Sequence, residues 1–97
     1  MRELKTLRKL AHHLKPVVRI GQNGLTDAVV RELDLALAHH QLVKLKLAAD
    51  GAEARDQQVA RVSEASDSIV VQRVGRTVTL FRRNPERPAP GAAIDSA

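Results

Sequence analysis

The residues best placed to do chemistry in this 97-residue chain are Gly21, Gln22, Asn23 and Gly24. Two glycines bracket two short amides, between a β-branched run from Pro16 to Ile20 and a helix-compatible run opening at Thr26. What such a stretch offers is anion binding rather than bond making. With no side chain at either end, main-chain N–H groups can approach a phosphate. The first amides of a following helix also lack internal partners and carry partial positive charge. Glycine serves equally to reverse a chain, because it accepts φ > 0 without steric cost, so its surroundings decide the use.

Those surroundings are cationic. The chain carries a formal +5, unevenly spread. Residues 1–24 set Arg2, Lys5, Arg8, Lys9, Lys15 and Arg19 against Glu3, a local +5. Residues 25–68 set five bases against eight acids, a local −3, and residues 69–87 set Arg73, Arg76, Arg82, Arg83 and Arg87 against Glu86, a local +4. If the two basic ends meet in space, they form one positive surface beside the glycine turn, the electrostatic footprint of a nucleic-acid binder. Lys15, Arg19, Arg76 and Arg82 are the candidates for phosphate contacts around Gly21, Gln22, Asn23 and Gly24. Gln22 and Asn23 can add side-chain amide donors.

Other chemistries find less support. The pairs His12-His13 and His39-His40 are adjacent on helices, so each could give at most one ligand to a metal, and no carboxylate or cysteine pattern completes a site. No metal is expected. Arg19 stands where a dinucleotide fingerprint would need glycine, and no GxxxxGKS/T loop occurs, so no nucleotide cofactor is expected. Nothing gathers Asp, Glu, His, Ser or Thr into a catalytic constellation, and the chain reads as a non-enzyme with no catalytic residues. The absence of cysteine removes disulfides and thiolate chemistry and fits a reducing compartment, with the cytoplasm as the expected location. No apolar stretch is long enough for a signal peptide or a membrane span, so no membrane partner is expected. A chain of this length has material for one small core, acting as a monomer, and surface binding competes less with that core than an enclosed site would.

The elements that must position the turn follow from periodicity. Leu4, Leu7, Leu10, Ala11 and Leu14 predict an amphipathic helix over 2–14, ended by Pro16, which disfavours helix at Lys15. Val17 to Ile20 predict a short strand. Thr26 predicts an N-cap with Asp27 in the first turn, and Leu25 with Val30 has the spacing of a hydrophobic staple. The buried face of that second helix, Val29, Leu33, Ala36 and Leu37, runs to about His40. Leu42 to Leu47 alternate, turning Val43, Leu45 and Leu47 one way and Lys44 and Lys46 toward water. A weaker helix over 53–65 turns Val59, Val62 and Ala65 inward. Ile69 to Val74 and Thr77 to Arg82 then form a hairpin about Gly75-Arg76. From Asn84 the prolines and small residues predict disorder, giving a folded domain over 1–84 and a Pro/Ala-rich tail over 85–97. The order α-β-α-β-α-β-β predicts a single α/β (α+β) domain with a mixed four-stranded sheet, one face of it partly open.

Leu14-Lys15-Pro16-Val17-Val18, Ile20 through Thr26, and Val74-Gly75-Arg76-Thr77-Val78-Thr79-Leu80-Phe81-Arg82, in this order and spacing, resemble the CRM domain. They resemble above all its bacterial stand-alone, YhbY-like members, over about residues 2–84. The resemblance implies a fold similar to the C-terminal domain of translation initiation factor three. It implies RNA binding through a GxxG turn compared with that of KH domains, and association with precursors of the large ribosomal subunit. Phe81 stands where such proteins more often carry tyrosine.

The resemblance agrees with the residues. A GxxG loop clamps nucleic-acid backbone because side chains would hold phosphates away. Phe81 is the only aromatic residue, so base stacking on aromatics is almost excluded, and recognition of the shape and backbone of structured RNA is expected. Two alternatives stay open: a DNA-binding module using the same cations, and an adaptor whose acids Asp27, Glu32, Asp34, Glu53 and Asp56 dock a basic protein.

Overall fold

The computed structural model describes residues 2–21 and 23–88. Helix α1 spans Arg2–Ala11, β1 Val18–Arg19, α2 Asp27–His40, β2 Leu42–Lys46, α3 Ala52–Ser66, β3 Ile69–Val74 and β4 Thr77–Phe81. The strands form one sheet in the order β1-β2-β4-β3. β1 runs parallel to β2, with α2 crossing between them, and β4 is antiparallel to both β2 and β3. The predicted order of elements and the mixed four-stranded sheet are what the chain adopts.

Helices cover both faces. On one, α2 and α3 bury Leu33, Leu37, Val59 and Val62 against Val18, Ile20, Val43, Leu45, Leu47, Val78 and Leu80. On the other, Leu7 of α1 meets Leu42 and Val71, with Leu4, Leu10, Leu14 and Phe81 packed around them. The half-buried ring of Phe81, the chain's one phenylalanine, is thus part of the packing under α1.

That second layer changes the expectation that the Lys44 and Lys46 side of β2 lies in water. Leu42 shares that side, and α1 buries it to 6% exposure, whereas Lys44 is half-buried and only Lys46 is exposed. The open part of the sheet is therefore its end farthest from α1, where β1 and β2 finish and β4 begins. Arg19 pairs with Lys46, and Lys46 with Thr77, at that end.

Element ends differ from expectation where hydrogen bonding decides them. α1 stops at Ala11 rather than Leu14, because His13 and Leu14 donate to Leu10 and Ala11 at 3.1 and 3.2 Å, tightening the last turn ahead of Pro16. β1 is only two residues long, although Val17 and Ile20 extend its bonding to Lys44 and Lys46 carbonyls at 3.1 and 3.0 Å.

The largest departure follows β4. Gln41, at φ 65°, ends α2 and is 2% exposed. Its carbonyl accepts from Arg82 N at 2.9 Å, its side-chain oxygen from Arg83 and Asn84 N, and its side-chain nitrogen donates to Pro88 O at 2.8 Å. Asn84 also donates to the Ala38 carbonyl at 2.8 Å, one of the last carbonyls that α2 leaves without a helical partner. These bonds offset the roughly 1 kcal/mol that a left-handed backbone costs a non-glycine residue. Residues 84–88, expected to be disordered, thus fold back on the end of α2. The remainder of the tail lies outside the described residues.

Candidate functional site

The glycine turn sits at the open end of the sheet. Gly24 N donates to Gly21 O at 3.0 Å, and the two residues form an isolated antiparallel bridge that closes the reversal. Gly24 has φ +74°, a conformation that needs glycine, whereas Gly21 has no such φ. A Cβ added to either would meet nothing within 4 Å. The fold gives a reason for glycine at 24 and none for glycine at 21. Gln22 lies outside the described residues, and Asn23 is exposed at the tip.

The turn is anchored on both sides. Ile20 is buried in the main core before it, and Leu25 and Val29 pack on the same cluster after it. Thr26 is the N-cap of α2, its hydroxyl accepting from Val29 N at 3.2 Å. Replacing Thr26 with alanine should lower stability by about 1 kcal/mol, read as a shift in the urea midpoint without a change in slope.

Arg19, Lys46 and Arg76 line, with Gly21, a shallow groove of about 300 Å³ on one flank of the turn. Arg76 holds Asp50 at 3.3 Å, but both side chains are largely in water, at 56% and 91% exposure. Such a pair is worth at most about 1 kcal/mol, so a phosphate can displace the carboxylate. Among the described residues Arg19, Lys44 and Lys46 have no acidic partner. The opposite flank of the turn opens on a cleft of about 480 Å³ toward α3, lined by Asn23, Gly24, Gln57, Gln58 and Arg61 among others.

Of the residues expected at the site, Gly21, Asn23, Gly24, Arg19 and Arg76 come together. Lys15 is exposed on the same sheet edge but in a separate groove with Leu14, His13 and His40, beside the start of β1. Arg82 lies at the far end of β4 from the turn. It donates to Asp34 Oδ1 at 2.8 Å, to Ser66 O at 2.8 Å and to Asp34 O at 3.0 Å, tying α2, α3 and the sheet together. Arg73 likewise pairs with Asp56 of α3, so the two basic ends of the chain meet only in part.

Lys46 was missed. Its outward direction was legible in the alternation of its strand, but its place beside Arg19 comes from the parallel register of β1 on β2. Among the described residues no group of three metal-ligating side chains occurs, and no helix is long and apolar enough to cross a membrane.

Several known proteins are similar to this chain in sequence or in fold. A Haemophilus influenzae protein named "RNA-binding protein" is 39% identical over 80 residues, covering 82% of this chain and 81% of its own. A Pseudomonas aeruginosa protein named "Probable RNA-binding protein PA4753" is 38% identical over 82 residues, covering 84% of this chain and 79% of its own. The solution structure of SAV1595 from Staphylococcus aureus superposes with a TM-score of 0.79 at 25% identity, covering 90% of this chain and 91% of that one. The family model of the CRS1 / YhbY (CRM) domain matches residues 1–82, and the chain belongs to that family.

Proposed function

We propose that this protein binds RNA by its backbone, holding a phosphate against the main chain of Gly21 to Gly24 while Arg19, Lys46 and Arg76 neutralise the neighbouring ones, and that the RNA is ribosomal, within a precursor of the large subunit. The observation that carries this reading is Gly21. Its glycine answers no strain and no internal contact, so what a side chain there would obstruct lies outside the protein. RNA as the ligand draws on the relatives named as RNA-binding, and the large subunit on the resemblance to stand-alone CRM proteins.

Lys15 supplies a more distant contact along the same edge. Arg82 is assigned to the fold, since its guanidinium is already engaged by two helices. Of the acids that the adaptor alternative needs, Asp34 is engaged by Arg82, whose guanidinium also bonds the Ser66 carbonyl.

Affinity of the full chain for single-stranded RNA should fall with salt in proportion to the phosphates neutralised. Substituting Arg19→Gln together with Lys46→Gln should make that dependence shallower by about 1.4, two contacts at about 0.7 each. An unchanged slope would remove both cations from the interface. The ribosomal assignment is tested by gradient fractionation of a lysate, where the protein should travel with large-subunit precursors. Sedimentation at the top of the gradient in low salt would overturn it.

A further inference from the structure

We infer that the cleft on the α3 side of the glycine turn seats one unpaired nucleobase, read by its hydrogen-bonding edge. This rests on the backbone grip proposed above and adds a demand on the RNA: beside the gripped phosphate, one nucleotide must be free of pairing.

The two flanks of the turn differ in chemistry. The Arg19 side offers three cations, suited to phosphates. The α3 side has one, Arg61, and no carboxylate in its lining, which is otherwise amide heads and small apolar groups. Ala54, Gln57, Gln58 and Arg61 follow the i, i+3, i+4, i+7 spacing of one helix stripe. α3 turns a different stripe, Val59, Val62 and Ser66, into the core. Its polar stripe therefore faces Asn23 and Gly24 across a cleft of about 480 Å³.

The donors are partly prearranged. Gln58 Oε1 accepts from Ala48 N at 3.1 Å and Ala49 N at 3.2 Å, so two main-chain donors fix which end of the amide is oxygen and leave its NH₂ to donate elsewhere. Gln57 is exposed and brings both a donor and an acceptor. Amides paired to a base edge discriminate by their donor and acceptor pattern. Arg61 has no acidic partner among the described residues, and its planar guanidinium can stack on a base face. That role matters in a chain whose one phenylalanine is committed beneath α1 and which has no tyrosine or tryptophan. A paired base hides the edge that these groups would read, so duplex RNA cannot fill the cleft.

The test uses the full chain and fluorescently labelled ten-nucleotide chains of rA, rC and rU, with an abasic ribose-phosphate chain of equal length and charge. One base should bind about tenfold better than the other two and than the abasic chain. Gln57→Ala and Ala54→Phe, both at exposed helix positions, should bring the preferred chain down to the level of the others. Gly24→Asp should weaken binding of all four. Equal affinity of the native protein for every chain, or a preference that survives both α3 substitutions, would overturn the base seat. If Gly24→Asp still weakens binding in that case, the backbone grip stands without it. Failure of the native protein to bind any chain removes both.

Discussion

Replacing Gly21 with valine should leave a folded protein that binds RNA roughly thirtyfold more weakly. The backbone at 21 is not left-handed, and a Cβ there meets nothing, so the native conformation admits a β-branched residue. Losing glycine's freedom in the unfolded chain should offset any small local cost. Outside the protein the balance is different. A branched side chain over the turn holds a phosphate away from the amide groups, and a hydrogen bond to a charged group is worth about 1.5–3 kcal/mol, or roughly ten- to a hundredfold in Kd. The check is a direct titration with a short RNA beside a thermal melt. A folded Gly21→Val protein of native affinity would take the turn out of the mechanism. Gly24→Asp is the companion, since aspartate tolerates φ > 0 better than most residues yet sets a negative charge under the phosphate.

Arg82→Gln should act in the opposite sense, lowering stability by about 2 kcal/mol and leaving the salt dependence of RNA binding unchanged. Its ion pair with Asp34 is partly in water, with side-chain exposures of 28% and 50%, and by itself is worth at most about 1 kcal/mol. The remainder comes from the Ser66 and Asp34 carbonyls, which lose a charged donor. For a domain of this size the melting temperature should fall by roughly 10 °C. Arg73 is the contrast: its recorded partner is the carboxylate of Asp56, 64% exposed, so Arg73→Gln should cost no more than about 1 kcal/mol. A native-like melt for Arg82→Gln with a shallower salt slope would return that residue to the RNA interface.

Most of the architecture was legible because its signals are local. Leucine spacing in α1, the cap at Thr26, alternation in β2 and the hairpin about Gly75 each express a short-range rule, and all seven elements appear in the expected order. The ends were less legible, since α1 and β1 stop where hydrogen bonds, not residue types, run out. Residues 84–88 escaped notice for a related reason. Prolines and small residues signal no packing of their own, and what orders them is the unpaired end of α2 and the side chain of Gln41, which lie more than forty positions earlier in the chain.

Within the site, the division follows distance along the chain. The amino-acid order alone determined the turn: two glycines, the run before them and the capped helix after them are contiguous, so their geometry follows from neighbouring residues. It also determined which strand residues share a face, because that alternates with a period of two, but not that α1 would cover the Leu42 end of the Lys44 and Lys46 face. Which cations stand together was decided only by tertiary structure. The register of β1 on β2 brings Arg19 to Lys46, and the bond of Leu47 N to Arg76 O brings the hairpin to the same end. At the other end of β4, Asp34 and Ser66 take Arg82 into the fold. The pairs that matter here join residues far apart in the chain, so a cation's partner, whether carboxylate or phosphate, is set by strands and helices far away in sequence.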